Sequence, residues 1–562
     1  MADITGIVRE NVQGAVMDSL KESIKKGEIN ITDIPEIMLE VPRQKEHGDL
    51  ATNIAMLLSK QAKKPPRVIA ETILKNIDID NTYIKNIEIA GPGFINFKLK
   101  DDWLYEGLKI IQRERDNYGK CNIGNGKRIQ VEFVSANPTG PMHIGNARGG
   151  AIGDILAEVL KWAGYDVEKE FYVNDAGNQI EKFGRSLEAR YLQLFGIEAK
   201  IPEDGYQGED IMEHAKRFKE INGDKYLNAK PDERRKALVD YALKINIDRM
   251  KKDLEAFGVK FDVWFSEKSL YDNGDIEDTI KFFKESGNTY EKDDAVWFKA
   301  TDFGVEKDEV LVRTNGIPTY FAGDVAYHRN KFIVRKFDKV IDILGADHYG
   351  HVPRMKGAMA ALGVKSGSLE VIIMQLVRLI RNGKVTRMSK RRGQIFTLSD
   401  LIEEVGKDAA RFFFDLRSAD THLEFDLDLA VEKSNENPVY YVQYAHARIC
   451  SILKQLDDEH IAFPEISSVK FDLLKENNEI ELIKKLAEFP DELAQSANTL
   501  DPSRITKYVI DLASCFHTFY NSCRVKGADE NLMYARMVLI DSVRIVIENC
   551  LSILGVSAPE RM

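Results

Sequence analysis

Residues 128–173 read RIQVEFVSANPTGPMHIGNARGGAIGDILAEVLKWAGYDVEKEFYV, and the fold class turns on their rhythm. Arg128 to Val134 has the pattern of a strand. Ala147 to Ala163 places Ile152, Leu156, Val159 and Leu160 on one face of a helix, and Glu168 to Val173 returns to a strand. Strand, helix and strand at this spacing make a βαβ unit with a right-handed crossover. Between the first strand and the helix lie Pro138, Gly140, Pro141, His143, Gly145 and Asn146. That turn sets free backbone N–H groups and the positive end of a helix side by side, and both favour a phosphate group. Gly145 leaves room for a flat base to approach the backbone. His143 can donate a hydrogen bond to a phosphate oxygen, and Asn146 can do so while staying neutral. A Pro/Gly turn whose buried histidine only caps the helix would show the same local features.

Working outward, Lys339 to Leu344 reads as a strand, His351 to Leu362 as a helix and Leu369 to Leu376 as a strand. The pattern predicts an α/β fold with a Rossmann-like, doubly wound parallel catalytic sheet. Residues 197 to about 300 break the rhythm with charged, helical sequence and read as an insertion. Residues 1–115 predict an N-terminal α+β domain, with helices at Ile4 to Lys25, Asp49 to Ser59 and Arg67 to Lys75. Its strands, Tyr83 to Ile89 and Phe94 to Leu99, pair across Gly91-Pro92-Gly93. Lys120 to Lys127 reads as a linker into the catalytic unit, 116–400. After residue 400 the strands stop, and 401–562 reads as an all-α helical bundle.

The chain has 562 residues, enough for three to four domains at roughly 150 residues each, and its 44% hydrophobic content supplies a full core. Lys plus Arg number 79 and Asp plus Glu 90, a formal net charge of −11. That balance argues against coating nucleic acid through bulk charge but leaves a local basic site open. The five cysteines include no Cys-x-x-Cys pair, so neither a zinc knuckle nor a disulfide framework is expected. No apolar run is long enough to span a membrane, and the N-terminus lacks a signal-peptide core, so the expected compartment is the cytoplasm.

A local basic site is present in Val377 to Gly393, VRLIRNGKVTRMSKRRG. Arg378, Arg381, Lys384, Arg387, Lys390, Arg391 and Arg392 stand there without one acid, and Asn382-Gly383 signals a hairpin turn. Such a run repels itself unless an anion is near. It can close on a triphosphate and stabilise charge developing on a departing pyrophosphate; a solvated basic surface loop is the other reading. The turn at His143 and this loop flank the first crossover and the last strand, at the carboxyl edge where doubly wound sheets bind nucleotides.

PMHIGN and RMSKR resemble the two signatures of class I aminoacyl-tRNA synthetases, usually written HIGH and KMSKS. FVSANPTGPMHIGNARGGAIGD, FYVNDAGNQI, YFAGDVAYHRNKF, GADHYGHVPRMKGAM and DAARFFFDLRSADTHLEFDLDLA resemble the arginyl-tRNA synthetases in their bacterial form. HGDLATNIAMLLSK, GPGFINFKL and the terminal GVSAPERM extend the likeness over essentially the whole chain. The departures are Asn146 for the last His of HIGH, Arg387 for the first Lys of KMSKS and Arg391 for its final Ser. The second Lys is kept as Lys390.

The resemblance implies arginine–tRNA ligase activity: ATP, accompanied by Mg²⁺ rather than by a fixed protein metal site, activates L-arginine. The arginyl group then passes to the 2′-OH of the terminal adenosine of tRNA(Arg), with activation dependent on bound tRNA. It gives catalytic roles to His143, Asn146 and Lys390, and places Pro141, Gly145, His351, Met388, Ser389 and Lys390 about ATP. Tyr320 and Asp324, four apart on a helix, share a face; the resemblance sets them in the guanidinium pocket with Glu267. Ser135, Asn137, Asp347 and His348 fall by the same likeness near the amino and carboxyl ends of arginine. It assigns tRNA contacts to Phe94 and Asn96 in the N-terminal unit, with its D-loop role, and to Tyr441, Tyr444, Tyr520 and Met562 in the helical anticodon-binding domain. A core phenylalanine and core tyrosines are the plainer readings of those aromatics. The family is usually monomeric. Another class I synthetase or a related HIGH-type nucleotidyltransferase with a different acid, and a tRNA-binding paralogue without catalysis, are the competing readings; retention of His143, Lys390, Asp324 and Glu267 argues against the last.

Overall fold

The segments 128–132, 166–173, 339–345 and 369–374 mix apolar residues with polar ones such as Glu132, Glu170 and Asp342, which are buried all the same. In the computed structural model, which describes residues 4–42, 44, 47–386 and 396–562, they are four strands of one five-stranded parallel sheet. In chain order the strands are β1 (Arg128–Glu132), β2 (Asp166–Val173), β3 (Val263–Ser266), β4 (Lys339–Gly345) and β5 (Leu369–Met374). The spatial order is β5-β4-β1-β2-β3. The chain winds outward from β1 to β3, then crosses back to β4 and β5. The direction of winding therefore reverses between β1 and β4, where Asp342 is paired with Glu132. The crevice outside the carboxyl ends of those two strands is where such sheets bind ligands.

The helix α1 (Ile144–Trp162) crosses from β1 to β2. Its sequence has almost no polar side, and nearly every residue from Ala147 to Leu160 is buried. A helix apolar all round needs cover on every side. The sheet covers one face and the C-terminal helices cover the other, with Phe489 edge-on to Trp162 at 6.4 Å between ring centroids.

Four expectations are corrected. The segment 197–300 is not all insertion: the helices Glu209–Asn222 and Pro231–Ala256 interrupt the sheet, but β3 lies inside that range. A small antiparallel sheet, Thr289–Lys292, Ala295–Phe298 and Glu309–Val312, follows. Strands do not stop at 400, because Leu423–Asp426 pairs in parallel with Val377–Arg381. Asp49 does not open a helix; Leu50–Thr52 is a strand on Phe94–Leu99, and the helix is Ile54–Ala62. Residues 120–127 are not a free linker, since the N–H groups of Cys121, Gly124 and Gly126 bond the carbonyls of Trp162, Ala163 and Gly164 at the end of α1.

The Asn382-Gly383 turn is present, with φ of 52° and 68° between Val377–Arg381 and Lys384–Thr386. The C-terminal part is helical, from Pro438–Asp458 to the terminal helix α2 (Glu530–Leu554). One apolar core runs from the N-terminal unit through α1 into these helices. No described helix is long and apolar enough to cross a membrane.

Candidate active site

The sheet buries charges where its pattern should be apolar, and these charges build the cleft. Glu132 and Asp342, adjacent at the switch point, are 6% and 4% exposed, and Lys331 between them is wholly buried. Lys331 Nζ lies 2.6 Å from Glu132 Oε2 and 3.0 Å from Asp342 Oδ1. Burial works against the Lys331 charge, but Asp342 and Glu132 outweigh it and hold its pKa above the ordinary value. Burial likewise opposes ionisation of Asp342, and Lys331 and His328 more than offset it, so that carboxyl lies below its usual range. Removing the lysine from such a cluster costs about 3–5 kcal/mol, since it leaves buried carboxylates unpaired.

This cluster fixes both walls of the cleft. Val134 and Ser135, just past β1, have φ of 67° and 37°, a left-handed conformation that costs a non-glycine residue about 1–2 kcal/mol. Ser135 Oγ donates to Glu132 Oε1 at 2.9 Å and accepts from the Tyr172 N–H at 3.1 Å, which locks the turn. Ser135 is thus engaged within the protein. On the other wall, His328 bridges Asp342 Oδ2 and the Asp324 carbonyl, at 2.8 and 2.7 Å. It thereby sets the helix Tyr320–Arg329 that carries Asp324.

At the first wall, His143 is the N-cap of α1. Its Nδ1 accepts from the Gly145 N–H at 3.1 Å, and Asn146 Oδ1 accepts from the His143 N–H at 3.1 Å, completing a capping box. The capping reading of His143 therefore holds, and it leaves work for both residues. An accepting Nδ1 puts the ring proton on Nε2, and burial pushes the imidazole pKa below its ordinary value, so the ring is a neutral donor. The amide nitrogen of Asn146 has no protein partner among the described residues. A side chain at Gly145 would begin 3.1 Å from the His143 ring, so the ring would have to shift by a few tenths of an ångström to admit one. Pro141 is half-buried beside this turn, and Asn137 is exposed.

At the second wall acids converge. Glu267 begins a short helix after β3 and is 7% exposed. Burial, then Asp324 and Asp175, push its pKa up to about 7. Asp175 accepts from Ser266 Oγ at 2.6 Å and the Lys268 N–H at 2.9 Å. Burial and then Glu267 raise the hydroxyl pKa values of Tyr172 and Tyr271, which stay neutral donors. Tyr320 accepts from the Asn178 N–H at 3.2 Å. His351 is held against Asp324, with Nε2 3.2 Å from Oδ2, while its Nδ1 accepts from Arg354 at 2.8 Å. The structure thus sets His351 beside the acidic pocket. Asp347 and His348 are exposed on the turn after β4. Asp175, Tyr172, His328 and Lys331 were not singled out from sequence; Lys331 carries no local mark in the helical segment Asn330–Val334, and Asp175 lay unmarked in FYVNDAGNQI. Met388, Ser389 and Lys390, with Arg387, Arg391 and Arg392, lie outside the described residues.

In the helical part, Tyr441, Tyr444 and Tyr520 line one cavity of 330 Å³ with Asn435, Arg448, His517 and Asn521. The Arg448 guanidinium bonds the Tyr520 hydroxyl and lies 4.8 Å from its ring centroid. His517 has a buried Nε2 without a hydrogen-bond partner among the described residues. Met562 borders a different hollow, beside Tyr440 and Asp408. Phe94 is 39% exposed, while Asn96 is 7% exposed.

A switch-point cleft with a capped helix terminus on one side and an acidic pocket on the other is the catalytic unit of a class I aminoacyl-tRNA synthetase. The family model described as tRNA synthetases class I (R), catalytic domain, matches residues 109–422. Models for the arginyl tRNA synthetase N-terminal domain and the DALR anticodon binding domain match residues 11–99 and 442–562. The arginine–tRNA ligases of Acetivibrio thermocellus and Caldanaerobacter subterraneus subsp. tengcongensis are 58% and 59% identical to this chain, over 100% of both partners in each case. The chain belongs to the arginyl-tRNA synthetase family. In fold it resembles the arginyl-tRNA synthetase of Thermus thermophilus, with a TM-score of 0.74 at 20% identity over 99% of this chain and 100% of that one. The likeness to a methionyl-tRNA synthetase of Mycobacterium tuberculosis is weaker, with a TM-score of 0.55 at 11% identity over 77% and 92% of the two chains.

Proposed function

We propose that the arginine–tRNA ligase reaction runs across this cleft in two steps. The observation that carries the reading is Glu267, a buried carboxyl with a pKa near 7 beside Asp324 and Asp175: a pocket that stays uncomfortable until a cation enters. A guanidinium answers it, being always charged, planar and able to pair two carboxylates. Glu267, Asp324 and Tyr320 grip that group, with His351 orienting Asp324. Asn137, Asp347 and His348 lie toward the amino and carboxyl end, and Ser135 contributes by holding the turn.

ATP lies along Pro141 and Gly145 with its phosphates at the N-terminus of α1. The arginine carboxylate attacks the α-phosphorus, and the bond to the pyrophosphate oxygen breaks. His143 Nε2–H, the Asn146 side-chain amide, the positive end of the α1 dipole and Lys390 stabilise the charge on the departing group, with Met388 and Ser389 beside it. Mg²⁺ accompanies ATP as the counter-ion of its phosphates. The terminal adenosine of tRNA(Arg) then attacks the arginyl carbonyl through its 2′-OH, and AMP leaves. Activation waits for bound tRNA. Tyr441, Tyr444 and Tyr520 take an unstacked base, with Met562 at the rim of the same domain. Phe94 and Asn96 meet the D-loop. The protein works as a monomer in the cytoplasm.

Arginine-dependent pyrophosphate exchange in the presence of tRNA tests the loop assignment. Lys390→Ala is expected to lower the exchange rate about 100-fold or more without shifting the thermal unfolding midpoint. An unchanged rate refutes the role of the loop.

A further inference from the structure

Arg411 lies on the helix Lys407–Phe414, outside the cleft, and has no exposed surface. Its three guanidinium nitrogens go to three separate parts of the molecule. Nε donates to the carbonyl of Leu554, the last residue of α2, at 2.8 Å. One terminal nitrogen donates to the Phe257 carbonyl, at the end of the interrupting helix Pro231–Ala256, at 3.3 Å. The other meets Asp154 Oδ2 on α1 at 2.7 Å. Two helix carboxyl ends, each the negative pole of its dipole, and one buried carboxylate thus share a single planar cation. The fit is close from the α2 side as well: a Cβ on Gly555 would lie 2.4 Å from the guanidinium. Asp154 keeps a second cation, Lys169, at 2.9 Å, so the charge balance of α1 does not depend on Arg411 alone. What Arg411 adds is a rigid link from the end of the anticodon-binding domain to the helix capped by His143 and Asn146.

We propose that Arg411 is a positioning residue through which the seating of the anticodon-binding domain on tRNA sets α1, and with it the His143–Asn146 cap, against ATP. This rests on the reading that activation depends on bound tRNA. A lysine at 411 keeps the charge but cannot span Leu554 and Asp154 together.

The test compares arginine-dependent pyrophosphate exchange with full-length tRNA(Arg) and with an acceptor-stem minihelix that lacks the anticodon arm, in the wild type, Arg411→Lys and Gly555→Ala. The wild type should favour the full-length tRNA by about tenfold or more. In both variants that advantage should fall to about threefold or less while the minihelix rate stays within about twofold of the wild type. An advantage that persists, or a fall by the same factor with both RNAs, overturns the proposal and leaves Arg411 a packing residue. Gly555 has φ of 67°, so alanine there is strained as well as crowded; both variants are therefore assayed at a temperature at which circular dichroism shows them fully folded, and the ratio between the two RNAs, not the absolute rate, decides. A wild type that exchanges equally well with either RNA, or with none, removes the tRNA-dependence reading itself, and the coupling with it.

Discussion

Glu267 is ionised only in part near neutrality when the pocket is empty, because burial and the neighbouring Asp324 and Asp175 raise its pKa to about 7. An arriving guanidinium favours the carboxylate and expels the proton. The KM for arginine is therefore expected to be flat above pH 7 and to rise about tenfold per unit below it, while the KM for ATP does not follow. Steady-state kinetics between pH 5.5 and pH 8.5 check this, and an arginine KM independent of pH contradicts it. The same burial favours the protonated acid in the folded state, so Glu267 destabilises the fold as pH rises from its ordinary 4.5 to about 7. Glu267→Gln should then stabilise the protein by ~1–3 kcal/mol at pH 8 and by little at pH 4.5, while arginine activation collapses. At this scale the sequence was legible only through the family's motifs. Glu267 in VWFSEKSL and Asp324 in YFAGDVAYHR have no local mark of function, and Asp175, His328 and Lys331 reach the cleft only once β2, the Tyr320–Arg329 helix and β4 are assembled.

On the proposed function, the start of α1 does two jobs with the same two side chains. Asn146 closes the capping box with its oxygen, which frees its nitrogen for a phosphate. Asn146→Asp keeps the capping oxygen and puts a negative charge where the donor stood. The fold should be retained with an unchanged unfolding midpoint, and the KM for ATP should rise about tenfold or more, the value of one charge-reversed contact at a phosphate. An unchanged ATP KM, measured by exchange at saturating arginine and tRNA, would show that Asn146 serves the cap alone. Elements with a strong local signal were readable in advance: the β1–α1–β2 unit, the Asn382-Gly383 hairpin and the terminal helices. β3 was not, because four residues of VWFS between charged stretches carry no periodicity. The helical sequence just after residue 400 is broken at Gly406, whose φ of 80° leaves the helical region and separates Leu398–Val405 from Lys407–Phe414. The second covered face of α1 was written in its sequence as a missing polar side, yet nothing local says which domain covers it.

For the whole molecule, a net charge of −11 coexists with an RNA partner because the contacts are local. On the proposed function, one cavity of 330 Å³ that gathers three tyrosines, His517, Arg448 and two asparagines takes an unstacked base, and stacking there supplies affinity without bulk positive charge. Tyr444→Ala should raise the KM for tRNA about 10-fold, at ~1–3 kcal/mol per stacked base, and leave charging at saturating tRNA within about twofold. A lower rate at saturating tRNA with no change in KM would place the tyrosine in the core instead. The continuity of the core from the N-terminal unit to α2 was not legible in the sequence, which marks domains by composition and not by the faces they share. Selection of arginine by this cleft is measured by charging total tRNA with the purified chain, given ATP, Mg²⁺ and all twenty amino acids at equal concentration. Hydrolysis of the charged tRNA is expected to release arginine alone, and Asp324→Asn almost none; release of any other amino acid, or full arginine charging by Asp324→Asn, overturns arginine selection by these residues.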